Sequence, residues 1–150
     1  MLTTNVAIIN RIKESADVIL TGTVLCIDPA SNSVGYALYV KGKLTEGGKI
    51  VATAKAPIHK RLEQIVRKLP QLDPDMVIIE LVRSSTGHVY MVWAVGAIVA
   101  HYGAPLIEVP QRLWKNVQDD KYIKDDDVDA KYMGKYVIEI AKGKTVERKV

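Results

Sequence analysis

The hydrophobic period changes at Pro57, and that change constrains the fold more than any other feature of the chain. Before it, residues 23–29 and 33–40 are apolar runs joined by the turn-rich stretch ASNS. KGK at 41–43 reads as a second tight turn, with Gly42 free to take φ > 0. A third strand is expected over roughly 44–55, with a bulge or bend at Gly47-Gly48. Strands joined this closely run antiparallel. After Pro57, Ile58, Leu62, Ile65 and Leu69 recur at helical spacing, with Lys60, Arg61, Arg67 and Lys68 on other faces. Pro70 and LDPD end that helix, and the continuous apolar run MVIIEL then reads as a strand buried on both sides. A helix over 86–102, a short strand in APLIEVP and a last helix from about 126 to 142 complete the pattern. The order βββαβαβα requires an α/β fold: a mixed five-stranded sheet, three strands antiparallel and the rest parallel, flanked by helices.

At 150 residues the chain fits one domain with its own core. Residues 1–22 read as an N-terminal extension, open between a short amphipathic helix and an arm, and 23–150 as the domain proper. The single cysteine, Cys26, excludes an internal disulfide framework and fits a reducing compartment. No signal-peptide pattern is seen, and the most apolar run, Val89 to Ala100, is too short to cross a bilayer, so a cytoplasmic protein with no membrane partner is expected. The net charge of +4 permits a polyanionic partner without demanding one. Between Val89 and Ala100 the helix is apolar on nearly every face. One side can lie on the sheet; the other needs a partner, and a second copy of the chain is the expected one.

Two of the apolar strands end in a carboxylate, Asp28 and Glu80, which this topology sets side by side. A charge at the end of a buried strand is costly unless something meets it, so Asp28 either caps a turn or awaits a cation. The last helix has an inward stripe of Asp129, Ala130, Met133, Val137, Ile140 and Ala141. Extending it backwards at about 100° per residue puts Asp126 within that stripe, Asp125 on its edge and Asp127 elsewhere. Asp28, Glu80, Asp126 and Asp129 then converge. Four close carboxylates repel one another unless divalent cations separate them, and hard oxygen donors suit Mg²⁺, with Mn²⁺ as a substitute. Two such ions form the clamp used in phosphodiester cleavage.

These residues resemble the RuvC-type Holliday-junction resolvases of the ribonuclease H-like superfamily, in a form similar to phage versions. IDPASNSVGYALY looks like that family's first strand pair, VIIELV its second acidic strand, and the D-x-x-D-A of Asp126 to Ala130 its C-terminal acidic pair. PQRLWKNV is similar to the segment that carries a lysine near the scissile phosphate, which matches Lys115. Ala30 replaces a usual glycine, and Arg83 stands where many members place an aromatic wedge. The resemblance implies a ribonuclease H-like nuclease domain acting as a homodimer through helix 86–102. It implies binding of a four-way DNA junction and two symmetric nicks made with two metal ions per site and no small-molecule cofactor. Lys115 would join the four acids in catalysis, and Arg83, Arg112, Trp114, Lys115 and Lys124 would meet DNA. Two alternatives stay open: a nuclease of the same fold acting on RNA or RNA–DNA hybrids, and a non-catalytic nucleic-acid-binding module. An actin-like phosphotransferase is excluded because 150 residues leave no room for its second domain.

Overall fold

A computed structural model describes residues 2–29, 33–81, 89–114 and 126–143, with the backbone alone at 2–4 and 126–128. Helices α1 (Leu2–Glu14) and α2 (Ala16–Thr21) precede strands β1 (Thr23–Pro29), β2 (Ser33–Val40) and β3 (Lys43–Val51). They are followed by α3 (Ile58–Lys68), β4 (Met76–Glu80), α4 (Val89–Tyr102), β5 (Leu106–Val109), the short α5 (Gln111–Trp114) and α6 (Asp126–Ala141). The strands form one sheet in the order β3-β2-β1-β4-β5. β1 and β2, and β2 and β3, pair antiparallel; β1 and β4, and β4 and β5, pair parallel. The mixed five-stranded sheet read from the sequence is therefore present.

At the β2–β3 turn both Lys41 (φ 53°) and Gly42 (φ 76°) are left-handed, which suits the twist of a two-residue hairpin. The bulge lies elsewhere than predicted. The register slips between Leu38 and Tyr39, so Thr45 is the extra residue on β3, and its hydroxyl donates to the Leu38 carbonyl at 3.1 Å. Gly47 and Gly48 answer instead to side chains laid across them. A Cβ at 47 would stand 2.7 Å from Lys131 Cε, and one at 48 would stand 3.0 Å from Tyr36 Oη. β3 also stops at Val51 rather than continuing to 55.

Alternation along the strands divides the core in two. Val24, Cys26, Ala37, Tyr39, Met76, Ile78, Ile107 and Val109 face α6, which returns Ala130, Met133, Val137 and Ile140. Leu25, Ile27, Val34, Leu38, Ile50, Val77 and Ile79 face the other way, against Ile65 and Leu69 from the α3 region and Ile98 of α4. Residues 2–21, open on sequence alone, are helical and belong to the first of these cores, where Ile12 and Ile19 are wholly buried. α4 buries Ala94 and Ile98 and leaves Val89, Tyr90, Val92 and Trp93 exposed, so its second apolar side faces outward.

Candidate active site

The parallel ladder between β1 and β4 runs from Val24 opposite Met76 to Ile27 opposite Ile79. One residue further on, at the C-terminal ends of both strands, stand Asp28 and Glu80. They share the strand face of Cys26 and Ile78, the face that α6 covers. Their row continues on both sides: Asp28 lies opposite Gly35 of β2, Gly35 opposite Lys49 of β3, and Glu80 opposite Val109 of β5.

α6 brings further acids to this end. Near its middle, Gly134 seats the helix directly on the sheet: a Cβ there would run into the Tyr39 ring and come 2.9 Å from Cys26 Sγ. The Tyr39 hydroxyl donates to the Lys131 carbonyl at 2.8 Å, and burial pushes that hydroxyl above its ordinary pKa, so it stays a donor. The Lys131 side chain crosses Gly47, which pairs with Ala37 in the row of Cys26. The helix therefore runs from the row of Tyr39 and Val24 towards that of Asp28 as it is followed to its N-terminus. Five helical residues, from Lys131 back to Asp126, span about 7.5 Å. Two strand residues, from Cys26 to Asp28, span about 6.6 Å. α6 packs on β1, β2 and β3, and its first turn thus reaches the level of Asp28 along those strands.

Asp28 is 6% exposed and Asp129 4%, and among the described residues these are the charged side chains that are buried. Glu80 is half-buried. Asp126 opens the helix, where the sequence starts it, but its side chain lies outside the described residues. Among the described residues no three His, Cys, Asp or Glu stand as a group that could hold a metal ion. The structure therefore sets Asp28 and Glu80 one residue beyond the β1–β4 ladder, at neighbouring strand ends, and buries Asp129 on α6, without gathering these three described acids into one metal-holding group.

The expected DNA contacts divide. Trp114 is corrected: it is wholly buried beside Leu113 in the α6-side core, so its large apolar ring packs the domain rather than meeting a base. Arg112 is half-buried and commits one guanidinium nitrogen to Asn5 Oδ1 at 2.9 Å, which ties α5 to α1. Arg83, Lys115 and Lys124 lie outside the described residues, as do residues 86–88 of the predicted dimer helix. His59 and His101 are exposed. Gly134 is the positioning residue that sequence reading passed over; its signal was a lone glycine inside an otherwise apolar helical stripe.

An antiparallel β1-β2-β3 unit is thus continued by two parallel strands, with Asp28 and Glu80 at neighbouring strand ends. No protein-family model matches the sequence, and no curated protein does. Solved structures do. The chain is similar to Thermus thermophilus RuvC in complex with Holliday junction substrate, with a TM-score of 0.61 and 16% identity over 81% of this chain and 94% of that one. A second Thermus thermophilus RuvC structure matches equally, also at a TM-score of 0.61 and 16% identity, over 81% of this chain and 96% of that one. The fowlpox virus Holliday junction resolvase follows at 0.53 and 17% identity, over 78% of this chain and 98% of its own. The chain has the fold of the RuvC-type resolvases.

Proposed function

We propose that this protein is a metal-dependent, structure-selective DNA endonuclease that resolves four-way junctions. The observation that supports the reading is the position of Asp28 and Glu80 at the C-terminal ends of neighbouring parallel strands, one residue past their ladder, together with a buried Asp129 on α6. An all-oxygen donor set fits hard divalent cations. Asp28, Glu80, Asp126 and Asp129 are the residues that would hold two Mg²⁺ or Mn²⁺ ions, which when bound supply water activation and charge stabilisation at the leaving oxygen.

The chain's own part is positioning. The β1–β4 ladder sets Asp28 and Glu80 at neighbouring strand ends, and the close seat at Gly134 would set the height of Asp129 on α6. Lys115 follows directly on the anchored Trp114 and would face the charge that develops on the phosphate; Arg83 and Lys124 would hold the backbone of the DNA. Two symmetric nicks need two sites. The outward side of α4, with Trp93 at 52% exposure and Tyr90 at 48%, is the surface through which two copies would join. No described helix is long and apolar enough to cross a membrane.

Labelled four-way DNA junction, linear duplex and RNA–DNA hybrid, each incubated with Mg²⁺, Mn²⁺ or EDTA, test the reading. Paired symmetric nicks in the junction, lost in EDTA, are expected. Cleavage of the hybrid alone would assign a ribonuclease, and binding without cleavage in either metal would leave a nucleic-acid-binding module.

A further inference from the structure

Among the described residues, Asp28 has a basic flank on its β3 side. On the face covered by α6, the row through Asp28 continues across Gly35, which contributes no side chain, to the exposed Lys49 of β3. One strand pitch along β3 lies Gly47, again without a side chain, and there Lys131 of α6 is laid flat, its Nζ 3.6 Å from where a Cβ would be. Gly47 and Lys49 are two residues apart beyond the bulge, so they point to the same face and lie about 6.6–6.8 Å apart along the strand. Across the acids, on the β5 side, the same row ends in Val109.

A polyanion approaching buried carboxylates meets repulsion, which cations beside its path offset. We infer that Lys49 and Lys131 form a phosphate shelf on the β3 side of the acids, along which the sugar–phosphate backbone of the bound DNA runs into the site. Glycine within a strand weakens it and marks a close approach. Here Gly35 opens the path from Lys49 to Asp28, and Gly47 lets Lys131 lie down. The inference rests on the nuclease reading for its substrate, DNA, but not on cleavage.

The test is binding of a labelled four-way junction and a linear duplex in EDTA, at several salt concentrations, by the full chain. Each phosphate contact adds about 0.9 to the slope of log K against log salt. Lys49→Gln with Lys131→Gln is expected to flatten the slope by about 1.8, and Lys131→Arg to keep it. Gly47→Ala, which displaces Lys131 without removing it, is expected to flatten the slope by about 0.9. Lys60→Gln with Lys68→Gln, on α3 across the sheet, is expected to change nothing. An unchanged slope in the Lys49/Lys131 pair overturns the shelf whether or not junctions are cut. A flattened slope in a protein that cuts no DNA keeps the shelf and rejects the nuclease, and a wild-type chain that binds neither DNA overturns both.

Discussion

The two faces of the sheet are built to different specifications. Under α6 the packing is close enough that a single added methyl group collides, charged side chains are buried, and polar groups on facing elements are bonded. Under α3 and α4 the buried residues are apolar throughout, while α4 turns a second apolar side to solvent. The first face holds groups at fixed mutual positions, which catalysis by several carboxylates requires. The second supplies stability and leaves an apolar side of α4 exposed, the surface proposed above for association. Substitutions on the α6 face should therefore alter chemistry, and those on the α4 side assembly.

The largest effect is expected at the strand ends. Asp28→Asn or Glu80→Gln should reduce junction cleavage to background while junction binding persists, and wild-type turnover in either variant would remove the carboxylate site. On α6, Asp129→Asn should cost far more cleavage than Asp127→Asn; the reverse order would show the helix turned the other way. Next comes assembly. Trp93→Glu should leave the chain folded but monomeric at micromolar concentration by sedimentation, and paired nicks should become single ones. A variant that stays dimeric would move the interface away from α4.

Matched glycines sharpen the contrast. Gly134→Ala forces Tyr39 or the helix to shift, so it should lower stability by about 1–3 kcal/mol and weaken cleavage. Gly96→Ala meets nothing within 4 Å. At dilution favouring monomer it should raise stability by about 0.5–1 kcal/mol, the ordinary gain of alanine over glycine in a helix. Outcomes of opposite sign measured by denaturant unfolding would confirm the division; a loss at both positions would break it.

Local rules reached much of this arrangement. The KGK turn delimits β2 and β3, the strand period places Asp28 and Glu80, and the 3.6-residue period puts Asp129 on the buried stripe of α6. What escaped depends on distant partners. Ile12 and Ile19 are buried only because α6 and the sheet offer a surface to them, and nothing within NVAIINRIKESADVIL announces it. Trp114 looks like an exposed loop aromatic until its apolar pocket exists. Gly47 resembles a bulge glycine because the signal for close approach by Lys131 is the same missing side chain.

A matched pair of tyrosines carries the smallest expected effect. The Tyr39 hydroxyl donates to the Lys131 carbonyl on the α6 face, and that of Tyr102 to the Pro70 carbonyl on the other, each at 2.8 Å. Burial raises both hydroxyl pKa values, with the nearby Cys26 thiol adding to the rise at Tyr39. A folded pKa above the unfolded value means that the folded chain keeps its proton longer. The stabilisation is therefore complete below about pH 10 and is lost as the pH climbs through the folded values. Denaturant midpoints should fall on the alkaline side of about pH 10 and flatten in the Tyr39→Phe, Tyr102→Phe double variant. Each single change should cost about 1 kcal/mol at neutral pH. Only Tyr39→Phe should also slow cleavage, because only Tyr39 tethers the helix that carries Asp129; an equal loss of activity with Tyr102→Phe would show that the α4 face positions the acids as well.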